Sequence, residues 1–187
     1  MPGKRKIIVE CATSADWFIA RKDGGIEWLT ERPTPKHGYG MGAFQRSIDT
    51  ILWGRKTFDL GLEFEKQGYK SFDPKLKHYM FSRSIPGTPL PKAVEHVREP
   101  IKEFATKLRK RKGKHIWMMG GGEIIASFLD EGEIDEFMIH MMPVLIGEGI
   151  PLIAPRHRKI PLKLIEAKAY EDGVVKLHYA VEKTARG

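Results

Sequence analysis

The chain has 187 residues, of which 41% are hydrophobic and 30% are charged, and its formal net charge is +8. This composition is typical of a single globular domain, and no apolar run approaches the roughly 20 residues of a membrane span. The basic charge is compatible with nucleic-acid binding, but the densest basic cluster, at 107–114, lies at the end of a predicted helix without interleaved aromatic residues, which favours a solvated helix end.

The cysteine content and the N-terminus indicate a cytoplasmic protein. Cys11 is the single cysteine, so it cannot form an internal disulfide, and the seven histidines show no metal-ligand spacing. Residues 1–6 are basic and lead directly into an apolar run, without the hydrophobic core of a signal peptide. We therefore expect a cytoplasmic protein that binds neither a metal, nor nucleic acid, nor a membrane.

Predicted strands and helices alternate along the first half of the chain. A buried strand covers residues 6–12, and a polar, glycine-containing loop with some extended structure follows at 13–27. The next predicted elements are, in chain order, a helix at 41–48, a strand at 50–53, a helix at 56–60, an irregular stretch at 61–74, a strand at 78–81, a loop at 84–91 and a strand at 93–97.

The second half continues this alternation and ends in a hairpin. The predicted elements are a helix at 100–111, a strand at 115–119, a helix at 123–129, a strand at 135–142 and two strands at 162–170 and 174–181. The dipeptide Asp172-Gly173 between the last two is a strong hairpin signal. The pattern predicts one α/β domain over residues 1–187, with a mostly parallel central sheet flanked by helices and an antiparallel C-terminal hairpin.

Three consecutive glycines follow the strand predicted at 115–119. Gly120, Gly121 and Gly122 stand between an apolar run and a run with helical periodicity. Glycines at such a turn let the backbone approach a ligand closely, and the first amides of the next helix suit a phosphate. The turn matches neither the G-x-G-x-x-G nor the G-x-x-x-x-G-K-[ST] pattern, and taken alone it could equally serve packing.

Cationic and hydroxyl residues recur at two other predicted strand ends. Ligands of open α/β sheets bind beyond the carboxyl ends of the strands. The residues at these ends are Gly54, Arg55, Lys56, Thr57, Ser82 and Arg83. Arginine and lysine recognise phosphate, and serine and threonine supply hydroxyl groups. Together with the glycine turn, these residues predict a site for a dinucleotide that carries an extra phosphate on its ribose.

Four motifs along the chain match the pattern of one known family. Ser14-Ala15-Asp16 is similar to S-[LM]-D-G, with Trp17 in place of the glycine, and a tryptophan-bearing segment follows at 26–30. Residues 49–57 fit D-x-x-x-x-G-x-x-T, and residues 135–149 fit D-E…P-x-x-x-G-x-G, the most specific match. By these motifs nearly the whole chain resembles the dihydrofolate reductase-like superfamily, and within it the reductase domain of the bifunctional riboflavin-biosynthesis deaminase–reductases.

The resemblance implies an NADPH cofactor, a small-molecule substrate and a homodimer formed through the C-terminal strands. It also implies a cis peptide bond between Gly120 and Gly121. The cofactor-binding residues that it implies are Ala12 and Ile19 near the nicotinamide, Gly54, Arg55, Lys56 and Thr57 at the pyrophosphate and the 2′-phosphate, Ser82 and Arg83 at the adenosine end, and Gly120, Gly121 and Gly122 under the pyrophosphate. Glu123, which follows this turn, is a further cofactor-binding candidate, and interaction with the helix dipole is the alternative.

Two departures from the family pattern bear on the substrate. Residues 38–44 contain no carboxylate, whereas dihydrofolate reductase places one on the corresponding helix, and the zinc motifs of the deaminase half are absent. The resemblance therefore implies a stand-alone reductase acting on 5-amino-6-(5-phosphoribosylamino)uracil. The alternatives are a dihydrofolate reductase-like enzyme that acts on a pterin or another small heterocycle, and a non-catalytic protein that binds NADPH or a nucleotide.

Three further residues are candidates for the substrate side. Asp16 is the candidate catalytic proton donor, although an aspartate in a loop more often binds backbone amides. Trp28 is a candidate for stacking on a ring-shaped substrate, and core packing is the alternative. Glu148, between Gly147 and Gly149, is a second substrate-binding candidate, and a solvated side chain is the alternative.

Overall fold

The computed structural model describes residues 4–33, 35–36, 38–84, 87 and 89–183. The strands in these residues are β1 (Ile7–Thr13), β2 (Phe18–Ala20), β3 (Ile48–Gly54), β4 (Lys77–Phe81), β5 (Val94–Val97), β6 (His115–Gly120), β7 (Glu136–Met141), β8 (Ile150–Pro151), β9 (Leu162–Ala169) and β10 (Val175–Val181). The helices are α1 (Glu27–Thr30), α2 (Met41–Ser47), α3 (Arg55–Lys66), α4 (Ile101–Lys110) and α5 (Gly122–Asp130), and a 3-10 turn at Gly38–Gly40 precedes α2.

Eight of the strands form one central sheet in the order β5-β4-β3-β6-β1-β7-β10-β9. The six strands from β5 to β7 run parallel to their neighbours. β10 is antiparallel to β7 and to β9, so the last two strands form an antiparallel hairpin at one edge. The predicted dihydrofolate reductase-like architecture is therefore confirmed.

Helices cover both faces of this sheet because its central strands are apolar on both sides. On one face, α4 and α5 contribute Phe104, Leu108, Ile125 and Phe128, which pack with Ile7, Val9 and Leu52. On the other face, α2 and α3 contribute Phe44 and Phe58, which pack with Ile8, Ile51 and Trp53. We call these the α4–α5 face and the α2–α3 face.

One prediction of local structure was wrong, and another is now defined by its residues. The helix predicted at 56–60 continues to Lys66 as α3, because Phe58 and Leu62 pack on the same apolar cluster and their burial outweighs the cost of about 1 kcal/mol for Gly61 inside a helix. The extended structure predicted within the loop at 13–27 is strand β2, which pairs with β8 in a small second sheet. Both strands are too short for periodicity to reveal.

The C-terminal hairpin is far more exposed than the rest of the sheet. Every residue of β9 is exposed, and every residue of β10 is half-buried. No helix among the described residues is long and apolar enough to cross a membrane. Residues 1–3, which entered the interpretation of the N-terminus, and part of the predicted loop at 84–91 lie outside the described residues.

Candidate active site

The carboxyl ends of β3 and β6 lie side by side, and we call the space beyond them the crevice. These two strands are parallel neighbours, and Trp53 is paired with Gly120 at their carboxyl ends. The helices that follow them depart to opposite faces of the sheet, α3 to one and α5 to the other. A ligand crevice arises at such a point in α/β proteins, because the two connections leave the space between the strand ends open.

Two helix N-termini open into this crevice. Gly54 precedes α3 and Gly121 precedes α5, and no described side chain caps either helix start. The first amides of a helix need an acceptor from outside the helix, and they carry partial positive charge. Two such helix starts at adjacent strand ends therefore fit the diphosphate of a dinucleotide.

Gly121 lies against residues from two other parts of the chain. A Cβ atom at Gly121 would be 3.1 Å from the hydroxyl oxygen of Thr57 and 3.9 Å from Cδ1 of Ile19. The peptide bond between Gly120 and Gly121 is cis, as the resemblance implied. The structure thus brings Ile19, Thr57 and the glycine turn together, which sequence alone left as three separate predictions.

Gly122 has a different role from its neighbour. A Cβ atom at Gly122 would be 2.5 Å from the carbonyl oxygen of Pro151, and the Gly122 carbonyl accepts a hydrogen bond of 3.1 Å from the amide of Ala154. The segment around β8 therefore packs directly on the start of α5. Glu123 forms an exposed ion pair of 3.1 Å with Arg156. The cofactor contacts of Gly122 and Glu123 remain predictions, and the observed contacts of both are to the protein itself.

The cations at the strand ends differ in whether they form ion pairs with the protein. Arg55 binds both carboxylate oxygens of Asp59 at 2.8 Å, one turn along α3. Neither Lys56 nor Arg83 forms an ion pair with any residue that the structure describes. The hydroxyl of Ser82 donates to the Ser84 carbonyl at 2.9 Å. Lys56 and Arg83 are consequently the two cations that fit an additional phosphate.

Asp16 binds backbone amides. Its carboxylate accepts hydrogen bonds from the Ser14 hydroxyl at 2.5 Å, from the Gly147 amide at 2.7 Å and from the Ile146 amide at 3.2 Å. The bond from Ser14, followed by those from Gly147 and Ile146, lowers the pKa of the Asp16 carboxyl. These contacts tie the loop after β1 to the segment before β8. A catalytic role for Asp16 remains a prediction, and its observed role is structural.

The other two substrate-side candidates occupy contrasting positions. Trp28 is only 6% exposed and packs in an apolar cluster with Met142 and Val174, and Ala12 and Tyr39 border this cluster. Its indole N–H is buried without a hydrogen-bond partner among the described residues. Glu148 is exposed and forms an ion pair with Lys22. Stacking of Trp28 on a substrate and substrate binding by Glu148 remain predictions.

Sequence reasoning missed a buried polar pair. Glu10 on β1 is 2% exposed and His140 on β7 is 5% exposed, and His140 Nδ1 lies 3.1 Å from Glu10 Oε1. The other ring nitrogen of His140 lies 3.1 Å from the carbonyl oxygen of Tyr39. The available signal was Glu10 itself, because a carboxylate inside an otherwise apolar parallel strand is rarely buried without a partner.

No group of three or more histidine, cysteine or acidic side chains within the described ranges could hold a metal ion. The candidate site is the crevice, where Thr57 and Ile19 lie beside Gly121. The position of Ala12 at the nicotinamide end remains a prediction. The cluster around Trp28 and Tyr39 continues from Ala12, and the Glu10–His140 pair lies beneath Tyr39.

Comparisons with known proteins agree with this geometry. Residues 74–176 match the model of the RibD C-terminal domain. The protein YyaP of Bacillus subtilis, which is described as uncharacterized, is 35% identical over 185 residues, covering 94% of this chain and 95% of YyaP. A crystal structure from Shewanella sp. PV-4, named for riboflavin biosynthesis, is 27% identical with a TM-score of 0.81, covering 95% of this chain and 99% of that one.

A third similar protein shows the fold alone, because its identity is low. It is the diaminohydroxyphosphoribosylaminopyrimidine deaminase/5-amino-6-(5-phosphoribosylamino)uracil reductase of Thermotoga maritima, at 16% identity and a TM-score of 0.71. The match covers 95% of this chain and 57% of the Thermotoga chain.

Proposed function

Because the chain belongs to the family of the RibD C-terminal domain, we propose that it is an NADPH-dependent reductase of the 5-amino-6-(5-phosphoribosylamino)uracil reductase type. In this reaction the ribose of the substrate becomes ribitol. The observation that carries the proposal is the pair of uncapped helix starts at Gly54 and Gly121, on adjacent strand ends. Two sets of free amides at one crevice support the binding of a diphosphate.

Different residues of the crevice would contact different parts of the cofactor. The amides at the starts of α3 and α5 would hold the diphosphate, and the Thr57 hydroxyl next to Gly121 would add a hydrogen bond. Lys56 and Arg83 would bind the 2′-phosphate. Ala12 and Ile19 would border the nicotinamide, which supplies a hydride when the cofactor is bound.

A titration with NADPH, followed by protein fluorescence, tests the cofactor assignment. We expect micromolar binding of NADPH and weaker binding of NADH, because NADH lacks the phosphate that Lys56 and Arg83 would contact. Absence of NADPH binding at millimolar concentration would contradict the proposal. Assays with the phosphoribosylamino-uracil and with dihydrofolate, run side by side, then identify the acceptor. Oxidation of NADPH by dihydrofolate alone would favour a pterin reductase instead.

We also propose that the protein is a homodimer through its C-terminal hairpin. Leu162, Leu164 and Ile165 on β9 are 45%, 51% and 50% exposed, and Trp17 nearby is 43% exposed. Trp17 and Leu162 border one apolar groove with Tyr179. An exposed apolar patch of this kind marks an interface in soluble proteins.

Sedimentation equilibrium tests the dimer. The wild type is expected to sediment as a dimer, and Leu164→Lys is expected to shift it toward the monomer, because the substitution places a charge in the apolar patch. Lys163→Leu, on the adjacent position of the same strand, is the matched control. A monomeric wild type at micromolar concentration would contradict the proposal.

A further inference from the structure

The buried polar pair on the α2–α3 face has no part in the cofactor site described above. We propose that His140 is the catalytic residue that delivers the proton to the acceptor, and that Glu10 is a positioning residue that stores this proton behind it. The inference rests on the proposed reductase function, because a proton donor is needed only where a carbonyl or an imine is reduced.

The position of the pair follows from the sheet. Glu10 lies two residues before Ala12 on β1, so the two side chains point to the same face. His140 on β7 is the direct parallel partner of Ala12. The pair therefore lies next to the residue at which the nicotinamide is predicted. It is also beside the cluster that joins Ala12, Trp28 and Tyr39.

The hydrogen bonds determine how many protons the pair holds. His140 Nε2 lies 3.1 Å from the Tyr39 carbonyl oxygen, which only accepts, so Nε2 carries a hydrogen. His140 Nδ1 lies 3.1 Å from Glu10 Oε1, and a hydrogen bond there requires one more proton between the two atoms. Whether that proton belongs to the carboxyl or to the ring, the pair has no net charge. It is a neutral unit with one proton to give.

The surroundings favour this neutral unit. Burial raises the pKa of the Glu10 carboxyl, and the hydrogen bond and charge of His140 and the charge of Lys176 oppose that rise. Lys176 reaches the pair from β10 and is itself bonded to Glu166 at 2.7 Å. From the turn before α2, Tyr39 covers the pair, and burial together with the bond to Asp172 raises the pKa of its phenol to about 12. Tyr39 therefore stays neutral at physiological pH and does not compete for the stored proton.

The Tyr39 carbonyl indicates where the acceptor atom binds. This oxygen receives the hydrogen of Nε2 in the ligand-free protein, and it also accepts from the Tyr170 hydroxyl at 3.1 Å. It lies in the Gly38–Gly40 turn, in which all three residues have positive φ angles. An acceptor carbonyl or imine that displaces this turn receives the same hydrogen bond from Nε2. The site thus selects an acceptor with an exposed oxygen or nitrogen lone pair.

The proton then moves in one direction through the pair. Reduction adds two electrons and a hydrogen to the acceptor carbon as a hydride, and the acceptor oxygen or nitrogen takes the proton from Nε2. The stored proton moves from Glu10 to Nδ1, which leaves a neutral histidine and a carboxylate. One proton from solvent restores the pair after product release. The balance is one hydride and one proton for each acceptor reduced.

Nuclear magnetic resonance of the ligand-free protein tests the stored proton without any assay of activity. With ¹⁵N-labelled histidine, Glu10→Gln is expected to change the Nδ1 shift of His140 and to leave that of His178 unchanged. Glu136→Gln is the matched control, because Glu136 forms a second carboxylate–histidine pair with His178 at 3.0 Å, near the opposite end of β7. Glu136→Gln should change only His178. An Nδ1 shift of His140 that is the same in the wild type and in Glu10→Gln would contradict a proton shared between the two side chains.

Kinetics with the acceptor identified above tests the catalytic role. General acids contribute about 100-fold or more, so His140→Gln and Glu10→Gln are each expected to lower kcat about 100-fold and to leave the Kd for NADPH unchanged. The alkaline limb of the wild-type pH profile should disappear in Glu10→Gln, and Glu10→Asp should retain part of it. Glu136→Gln should keep wild-type kcat.

The outcomes separate this inference from the proposed function. Failure of the wild-type protein to bind NADPH would contradict the reductase proposal. The resonance experiment would still show whether Glu10 and His140 share a proton. An active wild type with an equally active Glu10→Gln variant contradicts the inference alone. If Glu10→Gln does not fold, as judged by circular dichroism, His140→Gln provides the same comparison.

Discussion

The two sides of the candidate site are built in different ways. The cofactor side uses short contiguous segments, in which the helix starts at Gly54 and Gly121 and two surface cations are the proposed ligand contacts. The acceptor side joins Glu10, Tyr39 and His140, whose hydrogen bonds span 130 and 101 positions of the chain. A contiguous segment can bind a ligand without contributing much to the fold. A buried long-range cluster contributes to both at once.

This contrast predicts which variants lose binding and which lose stability. Substitutions on the cofactor side should weaken NADPH binding in a protein that still folds well. Substitutions on the acceptor side should lower the free energy of unfolding and leave NADPH binding intact. The following variants test that separation, from the largest expected effect to the smallest.

Gly121→Val should weaken NADPH binding by at least about 100-fold, or ~2.7 kcal/mol. The new side chain would begin 3.1 Å from the Thr57 hydroxyl and would fill the crevice between the two helix starts. Fluorescence titration measures the loss, and thermal denaturation should show a fold close to wild type. The control is Gly42→Val in α2, where a Cβ atom would only touch the flexible Arg46 side chain at 3.5 Å. Retained affinity in Gly121→Val would remove the glycine turn from the cofactor site.

Tyr39→Ala should lower the free energy of unfolding by about 2 kcal/mol, because it removes ring contacts with His140 and Tyr170 and the hydroxyl bond to Asp172. Urea denaturation measures this change. The Kd for NADPH should stay within a factor of about two of wild type. The matched control is Tyr69→Ala, at a tyrosine that is 65% exposed. A large loss of NADPH affinity in Tyr39→Ala would show that the two sides are not separate.

Lys56→Ala and Arg83→Ala should each reduce the preference for NADPH over NADH about 10-fold, or ~1.4 kcal/mol. Parallel titrations with the two cofactors measure the preference, and the effect should shrink at high salt because both side chains are exposed. Arg55→Ala should change the preference for NADPH less, because the Arg55 guanidinium already forms an ion pair with Asp59. Lys66→Ala, at the far end of α3, is the control. Equal losses for NADPH and NADH would place these cations away from the 2′-phosphate.

Asp16→Asn should cause the smallest change, a drop of a few degrees in melting temperature that depends on pH. The pKa of Asp16 lies below its ordinary value of 3.8 in the folded protein, so its carboxylate stabilises the fold above that pH. This contribution disappears as the pH falls through the lowered pKa. Wild type and variant should therefore differ at pH 7 and converge in acid. Equal melting temperatures at pH 7 would contradict the anchoring of the loop through Gly147.

The sequence predicts the backbone of the cofactor side well because that backbone is local, whereas the cofactor contacts of its side chains remain predictions. The mostly parallel sheet, the hairpin, the helix starts at Gly54 and Gly121 and the cis bond all follow from short motifs or from the family resemblance they carry. Strand β8 escaped prediction because its two residues are too short for a period, and the extension of α3 escaped it because that helix contains a glycine.

The acceptor side could not be predicted for a physical reason. A buried carboxylate shows in the sequence only as one charged letter in an apolar strand, and its partner His140 lies 130 positions away. The two backbone partners of Asp16, the amides of Ile146 and Gly147, are equally distant, so the sequence could not decide between catalysis and anchoring. Burial of Trp28 depends in the same way on Met142 and Val174. Such pairings exist only once the parallel strands are in register.

The glycine turn has a consequence for how mutations in this protein would be read in living cells. A side chain at position 121 would fill the crevice, whereas one at position 122 would collide with the Pro151 carbonyl and displace the segment around β8. Wherever growth depends on this protein, selection would remove both variants. Their causes differ, since the first leaves abundant inactive protein and the second leaves little protein at all. A survey that scores both survival and cellular protein level would distinguish substitutions at the two adjacent glycines. Survival alone would give the same result for both.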